Sequence, residues 1–353
     1  MKVISRIKTI ESILNKINAP PYRKRQVYAG IYRQHLKTFS DLTSVPKDLR
    51  GALAQKLGEK VLSLRSIYET KDSQADKVLF ETRDKNRIEA VLMTFKPNEE
   101  RTEDHQSLCI SSQSGCALGC KFCATGAVGF KKNLSADEIT DQVLYFLQQS
   151  KVVNNVSFMG MGEPFANPNL FDALKILTDK DKLGYGQRHI SISTVGIVPG
   201  IQRLQKEFPG VSLAFSLHSP FPKQRLQLMP ITKTYPIDTV MKALKDFVNE
   251  TNKKVFIAYV LLENVNDSID HAKEIARLIK NQGDKHYLYH VNLIRFNPGS
   301  TFGLFKKPST ARVSTFRKAL DRYGIKNTLR QGFGVKINAA CGQLYANYER
   351  AVK

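Results

Sequence analysis

The first 95 residues show two hydrophobic periodicities, one typical of helices and one typical of strands. Near the amino terminus apolar residues recur every three or four positions, and this spacing predicts amphipathic helices. Further on, polar and apolar positions alternate on both sides of Asp84-Lys85-Asn86, which predicts a β-hairpin. The predicted helices are Ser5–Ile17, Tyr22–Gln34 and Pro46–Leu57, and the predicted strands are Asp76–Thr82 and Arg87–Phe95.

From Leu108 onwards, short apolar runs alternate with longer amphipathic helical patterns. The predicted strands are Leu108–Ser112, Asn155–Met159, Arg188–Thr194, Val211–Leu217, Lys254–Leu261 and Tyr289–Phe296. The helical patterns between and after them are Ser135–Gln149, Asn169–Thr178, Pro199–Glu207, Pro236–Glu250, Ser268–Lys280 and Thr310–Tyr323. Buried strands that alternate with helices favour parallel pairing with right-handed crossovers. Six units are fewer than the eight of a closed barrel, so the pattern predicts an α/β fold with a partial, open (β/α)6 barrel.

The chain is therefore expected to have three parts. Residues 1–95 form a small, basic accessory module of helices and a hairpin, residues 96–325 form the partial barrel, and residues 326–353 form a C-terminal segment. Active sites of such barrels lie at the carboxyl ends of the strands. Polar residues that directly follow the predicted strands are thus the first places to look for chemistry.

The charge of the chain is concentrated at its two ends. The 353 residues carry a net charge of +22. Residues 1–60 contain 13 Lys and Arg against 4 Asp and Glu, and residues 300–353 contain 11 against 2. Basic ends around a nearly neutral middle favour a polyanionic partner such as RNA. The alternative is a surface that is charged only for solubility.

The composition also bounds the compartment. No apolar run approaches the ~18 residues that a membrane span needs, and the opening Met1–Lys8 lacks the hydrophobic core of a signal peptide. Five cysteines, an odd number, do not indicate a secreted disulfide framework. These features predict a cytoplasmic protein with reduced thiols and no membrane partner.

Three of the five cysteines, Cys116, Cys120 and Cys123, fall within eight positions. Three thiolates on a glycine-punctuated loop can hold three irons of a [4Fe–4S] cube and leave the fourth iron open for an exchangeable ligand. The alternative is a structural zinc site, which normally has four ligands. Its fourth ligand would come from elsewhere in the chain, for example from His105 or His218.

Polar residues also follow several of the predicted strands. The second strand leads into Gly160-Met161-Gly162-Glu163, where glycines permit a ligand to approach the backbone and a carboxylate can receive a cationic amine. Ser193, Ser216-Leu217-His218 and Asn297 stand at or after the ends of the third, fourth and sixth strands. Each of these features alone has no assignable role. Their recurrence at successive strand ends indicates one common site.

Together these motifs resemble those of the radical S-adenosylmethionine (SAM) superfamily. The cysteine spacing, with the aromatic Phe122 before the last cysteine, is similar to its cluster signature. The resemblance implies that Cys116, Cys120 and Cys123 hold a [4Fe–4S] cluster. It also implies SAM contacts at Gly162, Glu163, Ser193, Ser216, Leu217, His218 and Asn297.

A closer resemblance lies in the C-terminal stretch Ala339-Ala340-Cys341-Gly342-Gln343-Leu344. This stretch resembles a motif of the rRNA adenine methyltransferases of the RlmN/Cfr family. The similarity extends over almost the whole chain and includes Phe122–Gly126, Lys132–Leu134, Phe215–Pro220 and His290–Leu293.

The family resemblance implies a reaction that uses two SAM molecules per turnover. Cys341 takes a methyl group from one SAM, and the second SAM is cleaved at the cluster to a 5′-deoxyadenosyl radical that takes hydrogen from this methyl group. The resulting carbon adds to the adenine, Glu89 removes the ring proton, and Cys109 frees the product by forming a disulfide with Cys341. The implied partners are 23S rRNA and an electron-donor protein such as flavodoxin or ferredoxin.

The residues around Cys341 bear on which carbon is methylated. Phe333 and the stretch Tyr345–Tyr348 resemble the Cfr branch. This implies methylation of carbon 8 of adenosine 2503 in 23S rRNA, with resistance to antibiotics that bind the peptidyl-transferase centre. Lys336 and Asn338 depart from the aspartates common in the family. The alternatives are carbon-2 methylation of the same adenosine, with tRNA as a further substrate, and, more remotely, a non-catalytic zinc- and RNA-binding ribosome factor.

Overall fold

The computed structural model describes residues 5–97, 102–297 and 304–330. Its helices are α1 Arg6–Lys16, α2 Pro21–Tyr32, α3 Lys47–Leu57, α4 Ala124–Val128, α5 Ala136–Gln148, α6 Leu170–Thr178, α7 Val198–Glu207, α8 Pro222–Leu228, α9 Ile237–Thr251, α10 Ile269–Lys280 and α11 Thr310–Arg322. Its strands are β1 Leu64–Lys71, β2 Ala75–Thr82, β3 Arg87–Phe95, β4 His105–Cys109, β5 Gln113–Ser114, β6 Lys132–Asn133, β7 Asn155–Phe158, β8 Ile190–Thr194, β9 Ser212–Ser216, β10 Val255–Leu261, β11 Tyr289–Arg295 and β12 Asn327–Leu329. The expectations for Phe333, Lys336, Asn338, Cys341 and Tyr345–Tyr348 lie outside the described residues.

Ten of these strands form one sheet, and its central part is the predicted partial barrel. Strands β4, β7, β8, β9, β10 and β11 pair in chain order, and every pair among them is parallel. The short strand β12 continues this parallel order beyond β11. Within the described residues the sheet stays open, with β1 at one edge and β12 at the other. The predicted α/β fold with a six-stranded partial barrel is confirmed.

The amino-terminal region extends this sheet rather than standing beside it. Strands β1, β2 and β3 pair antiparallel with one another, and β3 pairs antiparallel with β4, the first barrel strand. Residues of α1–α3 belong to the same hydrophobic core as the barrel. The buried Arg6 of α1 also donates to both carboxylate oxygens of Asp141 on α5, at 2.5 and 2.7 Å. The division of the chain at residues 95 and 325 stays a prediction.

The helices begin where the sequence indicates. Ser5 caps α1 and Ser268 caps α10, each by accepting a backbone N–H of the first turn. Ser135 and Glu138 form a capping box at the start of α5, in which each side chain accepts the other residue's N–H. None of the helices in the described part of the chain is long and apolar enough to cross a membrane.

Several elements differ from the sequence prediction, which also lacks the short elements α4, β5, β6 and β12. The strand expected at Leu108–Ser112 is β4, which begins and ends three residues earlier. It ends early because the chain turns away, so that the N–H of Ser112 donates to the oxygen of Met161 at 2.9 Å. Strand β1 was not predicted, because its side chains are mostly solvent-exposed and a bulge between Ser66 and Tyr68 breaks its alternation. Helix α8 was missed because it is too short for a periodic pattern.

Candidate active site

The three clustered cysteines lie on the loop that follows the first barrel strand. Cys116, Cys120 and Cys123 stand between β5 and α4, beyond the carboxyl end of β4. The preceding Gly115 has a φ of +72°, and a Cβ added there would lie 1.8 Å from the carbonyl oxygen of Gly129. The N–H of Cys116 donates to that same oxygen at 3.2 Å. Glycine is therefore required where the loop begins.

The thiols of this loop lie within electrostatic reach of one another. Burial raises the pKa of Cys116 to about 11, and the charges of Cys123 and Glu163 add to this rise. Burial also raises the pKa of Cys120 above its usual range, with further contributions from the other two thiols. Thiolates that repel one another are stabilised when iron supplies compensating positive charge. This donor set therefore fits a [4Fe–4S] cluster.

A [4Fe–4S] cluster and a single zinc ion place different geometric demands on these thiols. Within the described residues, no three His, Cys, Asp or Glu side chains are close enough to share one metal ion. A cube needs no such convergence, because its three cysteines bind three different irons. The histidines considered as zinc ligands are engaged elsewhere. His105 lies at the amino end of β4, with Nε2 2.9 Å from the amide nitrogen of Asn155, and Nδ1 of His218 accepts a backbone N–H of β10 at 3.0 Å.

The glycine-rich loop after β7 packs directly against the segment that leads into the cysteine loop. A Cβ added to Gly162 would lie 2.5 Å from the side chain of Gln113, and one added to Gly160 would lie 2.7 Å from the oxygen of Ile110. Between these glycines, the oxygen of Met161 accepts the N–H of Gln113 at 3.2 Å. The predicted SAM-binding motif thus packs against the segment Ile110–Gln113 that leads into the cysteine loop.

Glu163 is a buried carboxylate that joins the end of β7 to the end of β8. It accepts hydrogen bonds from the hydroxyl of Thr194 at 2.6 Å, the N–H of Val195 at 2.9 Å and the N–H of Phe165 at 3.2 Å. Burial raises the pKa of Glu163 to about 7, and these hydrogen bonds oppose the rise. Its contact with SAM stays a prediction. The hydrogen bonds add a positioning role, because they fix the turn that follows β8.

The predicted residues of β8 and β9 lie side by side. The hydroxyl oxygens of Ser193 and Ser216 are 3.3 Å apart. His218 follows with a positive φ of 54°, and its ring stands edge-on to Phe122 of the cysteine loop, with centroids 4.8 Å apart. Burial and the nearby Arg225 lower the pKa of His218 to about 3, so its ring is neutral at physiological pH. The cysteine loop and the end of β9 therefore meet in a direct ring contact.

Arg225 connects these strand ends, and the sequence did not indicate it. Its side chain is fully buried, with 0% exposure. Its guanidinium donates to the backbone oxygens of Val195 at 2.8 Å, Ser216 at 3.0 Å and Leu217 at 3.0 Å, and to the hydroxyl of Thr232 at 2.7 Å. Burial lowers the pKa of Arg225 to about 10, and the charge of Cys120 opposes this fall. A buried cation thus lies beside the cysteine loop.

Helix α8, which carries Arg225, also contacts the cysteine loop through its backbone. The N–H of Lys121 donates to the oxygen of Leu228 at 3.0 Å. Cys120 and Phe122 pack against a small apolar cluster that includes Leu228. One short helix therefore positions both the cysteine loop and the ends of β8 and β9.

The predicted base and the predicted resolving thiol lie on one face of the sheet. Val91 of β3 pairs with both Lys77 of β2 and Cys109 of β4, so these three residues form a row across the sheet. Glu89, two residues before Val91, faces the same side. Its Oε2 lies 3.0 Å from Nζ of Lys77. The sequence did not indicate Lys77, because a strand lysine is normally exposed and only the folded sheet buries this one.

Two predicted site residues lie near or beyond the limits of the described chain. Asn297 is half-buried and stands two residues after β11, where it makes contacts of its own. Cys341 lies outside the described residues. The contact of Asn297 with SAM and the pairing of Cys341 with Cys109 stay predictions.

Comparisons with known proteins agree with this geometry. The sequence model of the radical SAM superfamily matches residues 110–287. The ribosomal RNA large subunit methyltransferase Cfr of Clostridium botulinum is 49% identical over 335 residues, 95% of each chain. The protein of the same name from Staphylococcus aureus is 46% identical over 343 residues, 97% of each chain. The crystal structure of a radical SAM methyltransferase from Sphaerobacter thermophilus has a TM-score of 0.86, with 38% identity and 96% of each chain covered.

These similarities cover the features on which the site is built. The matched superfamily region contains the cysteine loop, the glycine-rich loop and the ends of β8 and β9. The relatives extend the match over nearly the whole chain. The resemblance drawn from the motifs is thereby confirmed, and an enzyme is favoured over a non-catalytic zinc-binding factor. The chain belongs to the radical SAM superfamily and, within it, to the family of the ribosomal RNA large subunit methyltransferases that includes Cfr.

Proposed function

We propose that this enzyme methylates carbon 8 of adenosine 2503 in 23S rRNA and that Cys341 carries the methyl group to the base. One observation supports this mechanism above the others: Glu89 and Cys109 share a buried face of the sheet, and β4 leads from that face to the cysteine loop. A base, a resolving thiol and an iron-binding loop thus follow one another in the chain. Direct transfer of a methyl group from SAM to a nucleophile does not need these three groups. Methylation of an unreactive adenine C–H bond through a cysteine carrier does need them.

The cofactors we propose are a [4Fe–4S] cluster and SAM, with two SAM molecules used per turnover. Cys116, Cys120 and Cys123 would hold three irons, and Gly162 and Glu163 would contact the amino group of SAM, as the family resemblance implies. When both are bound, the cluster and SAM supply a 5′-deoxyadenosyl radical. The electron for this cleavage would come from a protein such as flavodoxin or ferredoxin. Reduced thiols are typical of the cytoplasm, where we expect the enzyme to work.

The protein's own groups would complete the reaction. Glu89 accepts the proton of the reacting ring carbon. Cys109, as a thiolate, attacks the sulfur of Cys341, so that a disulfide forms and the carbon–sulfur bond to the product breaks. The electron pair of that bond stays with the product carbon, which takes up a proton. Glu163 and Arg225 meanwhile hold the strand ends that surround the reacting groups.

Three observations support the choice of substrate. The relatives at 46–49% identity are named as methyltransferases of the ribosomal RNA of the large subunit. Both ends of this chain are strongly basic, as a protein that binds RNA phosphates requires. The choice of carbon 8 rests on Phe333 and Tyr345–Tyr348, which resemble the Cfr branch. The mark would lie in the peptidyl-transferase centre and would confer resistance to antibiotics that bind there.

Mass spectrometry of 23S rRNA tests this proposal. The chain is expressed in cells that lack their own enzyme for this adenosine, and the nucleosides of the fragment are compared with methylated standards. We expect 8-methyladenosine with the unaltered chain and unmodified adenosine with the matched control Cys341→Ala. 2-Methyladenosine would instead establish carbon-2 methylation, and the same nucleoside in tRNA would extend the substrate range. An unmodified adenosine with the unaltered chain would contradict the proposal.

A further inference from the structure

Lys77 lies within strand β2 and its side chain has no exposed surface. Taking a charge out of water costs roughly several kcal/mol, so a buried ammonium needs a partner of opposite charge. Nζ of Lys77 lies 3.0 Å from Oε2 of Glu89, whose side chain is only 4% exposed. The nearby pair of Lys85 and Glu81, at the turn of the same hairpin, has a lysine that is 75% exposed. The two ion pairs therefore differ in the burial of the lysine, and Glu81 also has a second partner, Arg65.

The surroundings of the buried pair are apolar. Ala75, Val91 and Cys109 form a hydrophobic cluster on this face, and Met93 and Met159 pack against it. Charges attract one another more strongly in such surroundings than in water. A pair of this kind is weak support for stability, because well-packed apolar residues can stabilise the same site equally well. Stability alone therefore does not explain why a charged pair is buried here, whereas a role of Glu89 in the reaction does.

We propose that Lys77 is a positioning residue for Glu89, whose carboxylate it keeps ionised and oriented to accept the ring proton of the adenine. The inference rests on the proposed function, in which Glu89 is the base. Burial by itself favours the neutral acid, which cannot serve as a base. A cation in direct contact favours the carboxylate and so counteracts burial.

Addition of the carbon radical leaves one unpaired electron in the ring, and a one-electron acceptor such as the oxidised iron–sulfur cluster would take up this electron. The C–H bond of the ring carbon then breaks, its electron pair stays in the ring, and the proton forms an O–H bond on Glu89. The proton ends on Glu89, so the ion pair with Lys77 becomes a hydrogen bond to a neutral acid. Other charged or titratable groups on this face of the described sheet include Arg87 of β3, Cys109 and His105 of β4, and Glu81 of β2, which pairs with Arg65 of β1. The charge of Arg87 acts in the same direction as that of Lys77, whereas the carboxylate of Glu81 and a thiolate at Cys109 act against it.

Single-turnover reactions of the reconstituted full chain with an RNA fragment test the proposal. Lys77→Gln keeps a hydrogen-bond donor and removes the charge, whereas Lys77→Arg keeps the charge. Glu89→Gln removes the proposed base, and Lys85→Gln is the matched control in the same hairpin. The covalent protein–RNA adduct and its release are followed on denaturing gels over a range of pH. Methylation of Cys341 is measured by mass spectrometry in each variant, because it precedes the proton transfer and shows that the chain has folded.

We expect Lys77→Gln to slow release of the adduct at neutral pH by about 10²–10⁴-fold, the usual effect of losing a general base. Release should recover as the pH rises, because a buried carboxylate without its cation ionises only at higher pH. Lys77→Arg should largely restore release, Glu89→Gln should lose it at every pH, and Lys85→Gln should match the unaltered chain.

Release by Lys77→Gln at the normal rate, or slowed by the same factor at every pH, would overturn the proposal. If Lys77→Gln does not fold, the test rests on Lys77→Arg, which keeps the positive charge. A Lys77→Arg chain that methylates Cys341 but does not release the adduct would contradict the proposed role of the charge. If instead the proposed function itself is wrong, the unaltered chain would form neither methylated Cys341 nor an adduct with the RNA.

Discussion

Glu163 is buried, and burial raises its pKa from the ordinary 4.5 to about 7. Between these two values the folded chain holds the proton and the unfolded chain does not. The contribution of this group to stability is therefore fully present below about pH 4.5 and is lost as the pH rises to about 7. At 1.36 kcal/mol per pKa unit, the loss is at most about 3 kcal/mol.

We expect Glu163→Gln to remove this pH dependence. Glutamine still accepts a hydrogen bond from Thr194 but carries no charge, so the variant should gain free energy of unfolding relative to the unaltered chain between pH 5 and pH 7. Urea unfolding of the iron-free full chain at both pH values measures the difference. Glu207→Gln is the control, because Arg203 lowers the pKa of Glu207 and this acid stays ionised over the range. An equal difference at both pH values would contradict the expected titration.

For single residues, the sequence predicts a role only where the residue type and its spacing along the chain form a recognisable motif. The close packing at Gly160 and Gly162 could be predicted, because close backbone contact demands glycine. The roles of the three cysteines as cluster ligands stay predictions. Lys77 and Arg225 could not be predicted, because their roles depend on which distant elements bury them. Val195, which accepts a hydrogen bond from Arg225, lies 30 positions away in the chain. No local pattern records such a contact.

Among the elements, helix α8 determines how the strand ends meet the cysteine loop. Arg225→Lys keeps the charge, but an ammonium cannot reach all four acceptors of the guanidinium fork at once. A buried carbonyl left without a donor costs about 1–3 kcal/mol. We therefore expect the free energy of unfolding to fall by about 2–4 kcal/mol in urea titrations. The matched control is Lys223→Arg, an exposed position on the same helix, and an Arg225→Lys chain of unchanged stability would refute this role.

The elements that the sequence predicted are those with a continuous pattern. The barrel strands and long helices have one, and they were found within a few residues of their ends. Strand β4 was placed three residues too late, since Ile110 continues its apolar run after the chain has turned towards the cysteine loop. The apolar run shows which residues are buried, but the strand ends where its hydrogen bonds to the neighbouring strands end. The two limits therefore differ here.

Over the whole molecule, the basic amino-terminal end lies largely on helices that the structure describes. On α2, Lys24 forms an ion pair with Glu11 and Arg23 donates to Gln26, whereas Arg25 is exposed. Part of this charge is thus neutralised within the protein. We expect Arg25 to contribute more to RNA binding than its two neighbours.

Replacing Arg23, Lys24 and Arg25 together with alanine should flatten the dependence of RNA affinity on salt. Each lost phosphate contact lowers the slope of log affinity against log salt by about 1, so a decrease of roughly 1–3 is expected. Filter binding at several salt concentrations measures the slope, and iron content should stay the same. Replacement of Lys242, Lys245 and Arg277, between α9 and α10, is the matched control. An unchanged slope in the first variant would mean that this part of α2 is only a solvated surface.

The covalent adduct with RNA tests most directly whether Cys341 carries the methyl group and Cys109 resolves the product. We expect Cys109→Ala to methylate Cys341 and then remain attached to the RNA, because it lacks the thiol that attacks the Cys341 sulfur. Cys341→Ala and the double variant should form no adduct, because neither has a carrier. Denaturing gels before and after nuclease treatment show the attachment. Normal turnover by Cys109→Ala, or an adduct formed by Cys341→Ala, would contradict these roles.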